Sequence, residues 1–351
     1  VRAVVWAARI VGLLTVATAV LPAPRRLLGR GVGGARAGPP RRGPGGPRRR
    51  TGARMSDDRP GIVPLRPLDA VEIIGGAVRL ARRYPLVVLG PALVVALVIG
   101  AGQYGLQLSG ATAPEPGQGL TETFVDSLVS SIPLALLSVA LLPPVVGMVL
   151  SALRPAVLGH TLSFARAWAT TRPRLAGLYA LLLGLNLLGL VPILLLVGVA
   201  VPLAGGGAVA VVIAVLAVLL PYAVLTWIGV LLYPATAVIV VEGLGVRDAL
   251  WRSAELVRGS WWRFFGVQLL AALLITVVGL AVMLPMVFLG VGLAAAGAGM
   301  VAVLATTGIA STLVAAAALA VAPGVVGLLY LDQRIRRERY DLDLARDAAA
   351  G

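Results

Sequence analysis

His160 is the only histidine in a chain of 351 residues, cysteine is absent, and all 30 basic side chains are arginine. This inventory removes whole classes of chemistry. Without cysteine there is no disulfide, thiolate nucleophile or cysteine-based metal site, and one histidine cannot supply a two-histidine zinc site. A phosphate-cradling loop that ends in Gly-Lys cannot exist without lysine. The glycines at 290, 292, 297 and 299 lie in apolar sequence with no strand before them, so they read as a flexible turn and not as a dinucleotide loop. Polar groups within the apolar stretches are few: Gln103, Gln107, Asn186, Gln268 and scattered Ser and Thr. Asn186 and Gln268 are candidate intramembrane polar contacts, read as interhelical hydrogen bonds in preference to a substrate site. No ionisable side chain falls at membrane depth, where such groups persist mainly for function. The expectation is a protein with no catalytic residue, no cofactor and no metal.

The elements that position these residues follow from composition. The chain is 59% hydrophobic and only 13% charged, which places it in the membrane class. Three long stretches are nearly or wholly uncharged: 84–153, 175–241 and 264–330. Only Glu115, Glu122 and Asp126 interrupt them, near the middle of the first. The eighteen arginines after Met55 all lie outside these stretches, so each stretch begins and ends beside arginine. Arginine-rich loops stay cytoplasmic, so each stretch crosses an even number of times. At about 20 residues per crossing, each is a pair of helices. Gly/Pro breaks sit where the turns are needed, at 113–117, 202–207 and 290–299. The predicted fold is all-α: a polytopic transmembrane helix bundle of six spans in three hairpins. The spans lie near 85–106, 129–152, 176–201, 209–232, 265–289 and 304–329, with both termini cytoplasmic in the inner membrane. Prolines 133, 143, 144, 192, 221, 285 and 323 are expected to kink or start helices.

A cytoplasmic amphipathic helix precedes each hairpin. The first presents Leu68, Val71, Ile74, Val78 and Ala81 as its apolar stripe. The second presents Leu158, Leu162, Ala165 and Ala169, and the third Val246, Leu250, Ala254, Val257 and Trp261. Offsets of 88 and 89 residues between Tyr84-Pro85, Arg172-Pro173 and Trp261-Trp262 suggest a threefold internal repeat. Helices of this kind lie in the interface, with Trp168, Trp251, Trp261 and Trp262 at headgroup depth. Packing on the cytoplasmic ends of the bundle is the favoured reading of these helices, and a stop-transfer anchor that of the C-terminal arginines. Under the alternative of lipid recognition the candidate anionic-lipid contacts are Arg82, Arg83, Arg172, Arg174, Arg258, Arg263, Arg334, Arg336 and Arg337. Beyond Tyr330 the charged helix continues, with Asp332–Arg336, Arg334–Glu338 and Arg337–Asp341 spaced for ion pairs.

The net charge of +15 invites a nucleic-acid reading, but its distribution argues against one. Residues 1–54 hold twelve arginines and no acid; the remainder carries only +3. We read 1–54 as a disordered basic segment outside the fold. An over-extended start upstream of Met55 is favoured, with a signal-like segment or a basic arm as alternatives. Residues 55–344 form the transmembrane domain and 345–351 a tail. The partners expected are membrane lipids and proteins whose identity the sequence does not reveal, with no nucleic acid.

Three motifs resemble a known family. They are PLRPLDAVEIIGGAVRLARRYP from Pro64, VRDALWRSAELVRGSWWR from Val246 and LYLDQRIRRERYDL from Leu329. Over 64–344 the chain resembles multi-pass membrane proteins of GC-rich bacteria, similar to the membrane domain attached to some glycerophosphoryl diester phosphodiesterases. The resemblance implies a six-span bundle in the cytoplasmic membrane. It does not imply phosphodiesterase activity, which belongs to a separate barrel rich in histidine and metal-binding acids. The expected role is to organise lipids or partner proteins through the cytoplasmic helices, with transport of a lipid-like or small apolar substrate as the alternative.

Overall fold

Apolar runs of this length cannot leave backbone groups unpaired in hydrocarbon, so helix is the form they adopt. The computed structural model describes residues 61–63, 66–109, 119–196, 198 and 206–339, and among these there is no strand. The segments 1–54 and 345–351, Asp341 and the turn at 113–117 lie outside the described residues. From Pro60 onward the chain forms its own compact unit.

In chain order the helices are α1 (Ala70–Arg83), α2 (Pro85–Leu108), α3 (Leu120–Ser151), α4 (Leu153–Leu158), α5 (Phe164–Thr171), α6 (Leu175–Leu195), α7 (Gly207–Leu232), α8 (Ala235–Val241), α9 (Val246–Val257), α10 (Trp261–Leu293) and α11 (Gly299–Glu338). Five runs are long and apolar enough to cross a membrane: Pro85–Leu108, Val125–Leu158, Phe164–Leu195, Val209–Val241 and Trp261–Glu338. The last run is two helices. At Gly297 the backbone takes φ 104°, a conformation open to glycine and strained for other residues, and the helix breaks there. The turn therefore falls at Gly297–Gly299 and not from Gly290. Gly290 is helical and seats α10 against α11, where an added β-carbon would collide with Thr306 and lie 2.9 Å from the Val303 Cα. Gly279 and Val314 meet farther along the same antiparallel pair, with 3.1 Å from such a carbon to a Val314 methyl.

Helix starts and stops follow local chemistry. The Glu72 carboxylate accepts the Asp69 backbone N–H at 2.9 Å, reaching back to the start of α1. Tyr84 leaves helical geometry immediately before Pro85, which then opens α2 from its first position. Gly159, at φ 79°, ends α4 in the left-handed region. The second amphipathic segment is therefore two short helices, where one had been expected. Prolines 133, 143, 144, 192, 221, 285 and 323 all lie inside helices.

The long helices touch in a closed circuit: α2 against α3, α3 against α6, α6 against α7, α7 against α10, α10 against α11, and α11 against α2. Helix α11 is the axis of the packing and also meets α1 and α3. Its 40 residues rise about 60 Å, roughly twice the thickness of a hydrocarbon core. Burial is concentrated toward the end that carries the arginines. There, Val145–Ala156, Ala235–Val240, Phe264 and Val325–Tyr330 interlock with Leu68, Ile73, Ala77 and Leu80. Toward the other end, leucines and valines such as Leu187, Leu194, Val212, Leu216, Val278 and Leu284 face outward. An apolar surface this continuous is compatible with lipid as the solvent and not with water.

Of the expected apolar stripes, Leu68, Ile74 and Ala81 are buried in the first, and Leu158 and Leu162 pack against the core in the second. In the third, Val257 is buried with Val246, Leu250 and Trp261 beside it; Val71, Ala165 and Ala169 are the exceptions. On α1 the buried face is Ile73, Ile74, Ala77, Leu80 and Ala81, while Val71 is 75% exposed. On α5 the buried residues are Ala167 and Thr171, and Ala165 and Ala169 are exposed. On α9 they are Ala249, Ser253, Leu256 and Val257, flanked by the partly buried Val246, Leu250 and Ala254. At the exceptions the bundle takes a neighbouring residue instead, Ile73 rather than Val71 on α1 and Ala167 rather than Ala165 or Ala169 on α5.

Two outcomes test this description. Gly290→Val should lower the thermal unfolding midpoint of the detergent-purified protein, at a cost of about 1–3 kcal/mol. Gly292→Ala, where a β-carbon meets nothing within 4 Å, should leave it unchanged. The Asp69 amide and the Arg66 guanidinium hold the Glu72 carboxyl below its ordinary value. The cap is therefore intact above the usual carboxylate range and is lost as pH falls through the depressed folded value. Hydrogen-exchange protection of the first turn of α1, corrected for intrinsic rates, should fall over that acidic window in wild type. In Glu72→Gln it should already be weak and independent of pH.

Candidate functional site at the arginine-bearing end

A carboxylate removed from solvent must be met by positive charge and hydrogen bonds or it will not stay ionised. Asp332, near the end of α11, is 0% exposed. Its Oδ1 accepts the Leu68 backbone N–H at 2.6 Å and Arg336 Nε at 3.1 Å. Its Oδ2 accepts an Arg263 amino group at 2.6 Å and Arg336 Nε at 3.0 Å. The same guanidinium groups close the ring by donating to the Leu68 carbonyl, Arg263 at 2.8 Å and Arg336 at 3.0 Å. One aspartate thus fastens the segment leading into α1, the first turn of α10 and the last turns of α11. Both of its oxygens are engaged within the protein.

A second network lies beside it. Tyr330 donates a short hydrogen bond to Glu242, the residue that ends α8. Arg334 donates to the Tyr330 hydroxyl at 3.2 Å and to Glu338 at 2.9 Å, and lies 3.7 Å from Glu242. Arg252 of α9 approaches Glu242 at 3.7 Å and Glu255 at 3.8 Å, and pairs closely with Glu338. Gln333 donates to the Leu256 carbonyl at 3.0 Å and to Ser260 Oγ at 2.9 Å. Arg337 donates to the Glu255 carbonyl at 2.8 Å and, in a short bond, to that of Arg258. Trp261 stacks on Phe265 and donates its indole N–H to the Trp227 carbonyl at 3.1 Å, linking α10 to α7.

The candidate lipid-contacting arginines therefore divide into two sets. Arg263, Arg334, Arg336 and Arg337 are engaged within the protein. The Arg258 side chain is exposed, and its carbonyl serves Arg337. At the other side of this end, Arg83 donates to the Gly159 carbonyl at 2.9 Å and Arg174 to the Thr170 carbonyl at 2.6 Å. Arg82 and Arg172 are exposed. The expected Asp332–Arg336 and Arg334–Glu338 pairs both form. What the sequence reading missed is the long-range half of each network: Arg263 and Leu68 on Asp332, and Glu242 and Arg252 on the Tyr330–Glu338 group.

The two candidate intramembrane polar residues are not brought together. Asn186 is exposed and donates to the Leu182 carbonyl of its own helix at 2.8 Å, which corrects its reading as an interhelical bond. A lone amide on a lipid-facing surface is satisfied most cheaply by its own preceding turn. Gln268 Nε2 is buried on α10 and makes no hydrogen bond, as is Thr171 Oγ1. Among the described residues, no group of three His, Asp or Glu could hold a metal ion. No family model, curated protein or solved structure matches the chain. The family resemblance read from the three motifs therefore gains no support from such comparisons.

Asp332→Ala would leave two guanidinium groups and a backbone N–H facing each other without their common acceptor. It should cost about 3 kcal/mol of stability, read as a lower midpoint of thermal unfolding. Glu255→Ala, at an exposed carboxylate 3.8 Å from Arg252, should shift it by less than about 0.5 kcal/mol.

Proposed function

We propose that this is a six-span protein of the cytoplasmic membrane, three helical hairpins with both termini in the cytoplasm. It carries out no catalysis and organises lipids or partner proteins through its interfacial helices. The observation that carries the reading is the division of labour along the bundle axis. Ion pairs, tryptophans and arginines gather at one end, while several hydroxyls along the long helices are spent on their own backbones. Thr226 donates to the Tyr222 carbonyl at 2.8 Å, Thr276 to that of Ala272 at 2.9 Å and Ser138 to that of Leu134 at 2.8 Å. Side chains used in this way offer little to a substrate crossing the bilayer. The arginine asymmetry supports the orientation, because guanidinium groups are retained on the side of synthesis.

A second reading, transport of a lipid-like or small apolar substrate, is favoured by the unsatisfied amide of Gln268. Reconstitution separates the two. In vesicles holding the purified protein, transbilayer movement of a fluorescent phospholipid should match that of protein-free vesicles. Acceleration that is lost in Gln268→Leu would favour transport and sink the organising role. Topology is accessible because the chain has no cysteine. A single cysteine at Gln118 should label with an impermeant maleimide from outside intact cells, and one at Arg339 should not.

A further inference from the structure

The charge at the arginine-bearing end is unevenly compensated, and this points to where a ligand binds. Around α9 and the ends of α10 and α11, eight arginines from Arg247 to Arg339 face five acids: Glu242, Asp248, Glu255, Asp332 and Glu338. Their ion pairs have been described above. Across the bundle, seven arginines lie at 79, 82, 83, 154, 166, 172 and 174. Asp69 and Glu72 stand at the start of α1, Glu72 pairing with Arg66, and Arg83 and Arg154 have further partners of their own. Glu122 and Asp126 belong to the start of α3 at the opposite end. This second side is one surface. Arg83 reaches the Gly159 carbonyl, Tyr84 donates a short hydrogen bond to the His160 carbonyl, and Arg79 donates to the Ile62 carbonyl at 2.8 Å. These bonds hold the end of α1 against the turn that leads into α5.

Exposed aromatics interleave with the exposed arginines. Phe164 is 50% exposed and Trp168 38%, one helical turn apart on α5, with Arg172 a further turn on. Arg82, Arg166 and Arg172 are all exposed and make no ion pair among the described residues. The patch runs directly into apolar surface. Leu86, Leu89, Leu93 and Leu97 make an exposed stripe along α2, and Leu183, Leu187, Leu190 and Leu194 one along α6. Uncompensated guanidinium, aromatic rings beside it and a hydrocarbon-facing stripe below form the order of groups met on passing from a phosphate headgroup into acyl chain.

We propose that the surface formed by the end of α1 and by α5 is the protein's binding site for anionic phospholipid. It holds the headgroup phosphate through Arg82, Arg166 and Arg172 with Phe164 and Trp168 at the glycerol level, while the α9–α11 side serves assembly of the fold. The inference rests on the membrane-organising reading above and specifies its ligand and its location. Arginine suits the role because its planar fork donates two parallel hydrogen bonds to a phosphate.

The test is the relative association constant of spin-labelled phosphatidylglycerol over spin-labelled phosphatidylcholine. It is read from the motionally restricted fraction around the full chain in phosphatidylcholine vesicles. Wild type should prefer phosphatidylglycerol by roughly threefold or more, less so at high salt. Arg82→Gln/Arg166→Gln/Arg172→Gln should bring the ratio close to one, and Arg172→Gln alone to an intermediate value. The matched triple Arg247→Gln/Arg258→Gln/Arg339→Gln removes the same charge from exposed positions on the other side and should keep most of the preference. Equal losses in the two triples would mean that net charge alone sets the preference, and would overturn the assigned site. Loss of preference in wild type on adding millimolar inorganic phosphate at constant ionic strength would assign the site to a free anion and overturn the lipid. A wild-type ratio of one would overturn this proposal together with the lipid-organising role, whereas rapid lipid transfer across vesicles would sink that role alone.

Discussion

A carboxylate that loses all contact with water gives up several kcal/mol of solvation, and the protein must replace nearly all of it locally. At Asp332 the replacement comes from two guanidinium groups and one backbone amide, contributed by three separate parts of the chain. The cluster thereby joins α1, α10 and α11 at a single side chain. Within lipid, where apolar burial between helices supplies little drive for association, a bond of this kind decides which helix ends meet and in what register. The close approaches along α11 then follow. With the ends pinned by Asp332, Gly290 and Gly279 of α10 face Thr306 and Val314 at the spacing of an antiparallel pair.

The same constraint explains why the packing is dense at one end and open at the other. Near Asp332 the short helices α4, α5, α8 and α9 fill the gaps between the long ones, and burial is extensive. Away from it the only neighbours are other long helices, and much of their surface is leucine and valine facing outward. Tyr179 is an instructive exception. It stands on an outward-facing stretch of α6, yet its hydroxyl finds the Ala140 carbonyl on α3 at 2.7 Å, since an unpaired hydroxyl in hydrocarbon is expensive.

Much of this was legible in the sequence, and the parts that were not share a cause. Helix positions followed from the charge-free stretches, because hydrocarbon tolerates only closed hydrogen bonding. The local pairs Asp332–Arg336 and Arg334–Glu338 followed from helical spacing. The long-range partners did not, although a signal was present. Arg263 and Asp332 bracket the third uncharged stretch, one just before it and one just after its last residue. A return of the chain to its starting side makes that opposite pair available to one another, and the packing of α10 on α11 brings them into contact. Glu242 likewise closes the second stretch as Tyr330 closes the third. The amphipathic stripes were legible at most positions, Leu68, Ile74, Ala81 and Val257 among them, but not at Val71, which is exposed while the equally apolar Ile73 is buried. Asn186 carried no signal separating an outward from an inward face.

Arginine number alone is therefore a poor guide to lipid contact in this chain. The C-terminal group Arg334, Arg336 and Arg337 is the densest in sequence within the fold, yet each of its members is turned toward Asp332, Glu338 or a backbone carbonyl. Interleaved acids decide this, because a guanidinium with a carboxylate one helical turn away is largely satisfied before a phosphate arrives. Arg82, Arg166 and Arg172 have no carboxylate one helical turn away and stand exposed. The partition fits the connectivity. Helices α9 and α11 must be fixed to each other across a long excursion through the bundle, which calls for pairs of opposite sign. Helix α5 is tied to α6 through a single 3₁₀ turn at Arg172–Arg174 and needs no electrostatic fastening, so its charges are left for whatever lies beneath.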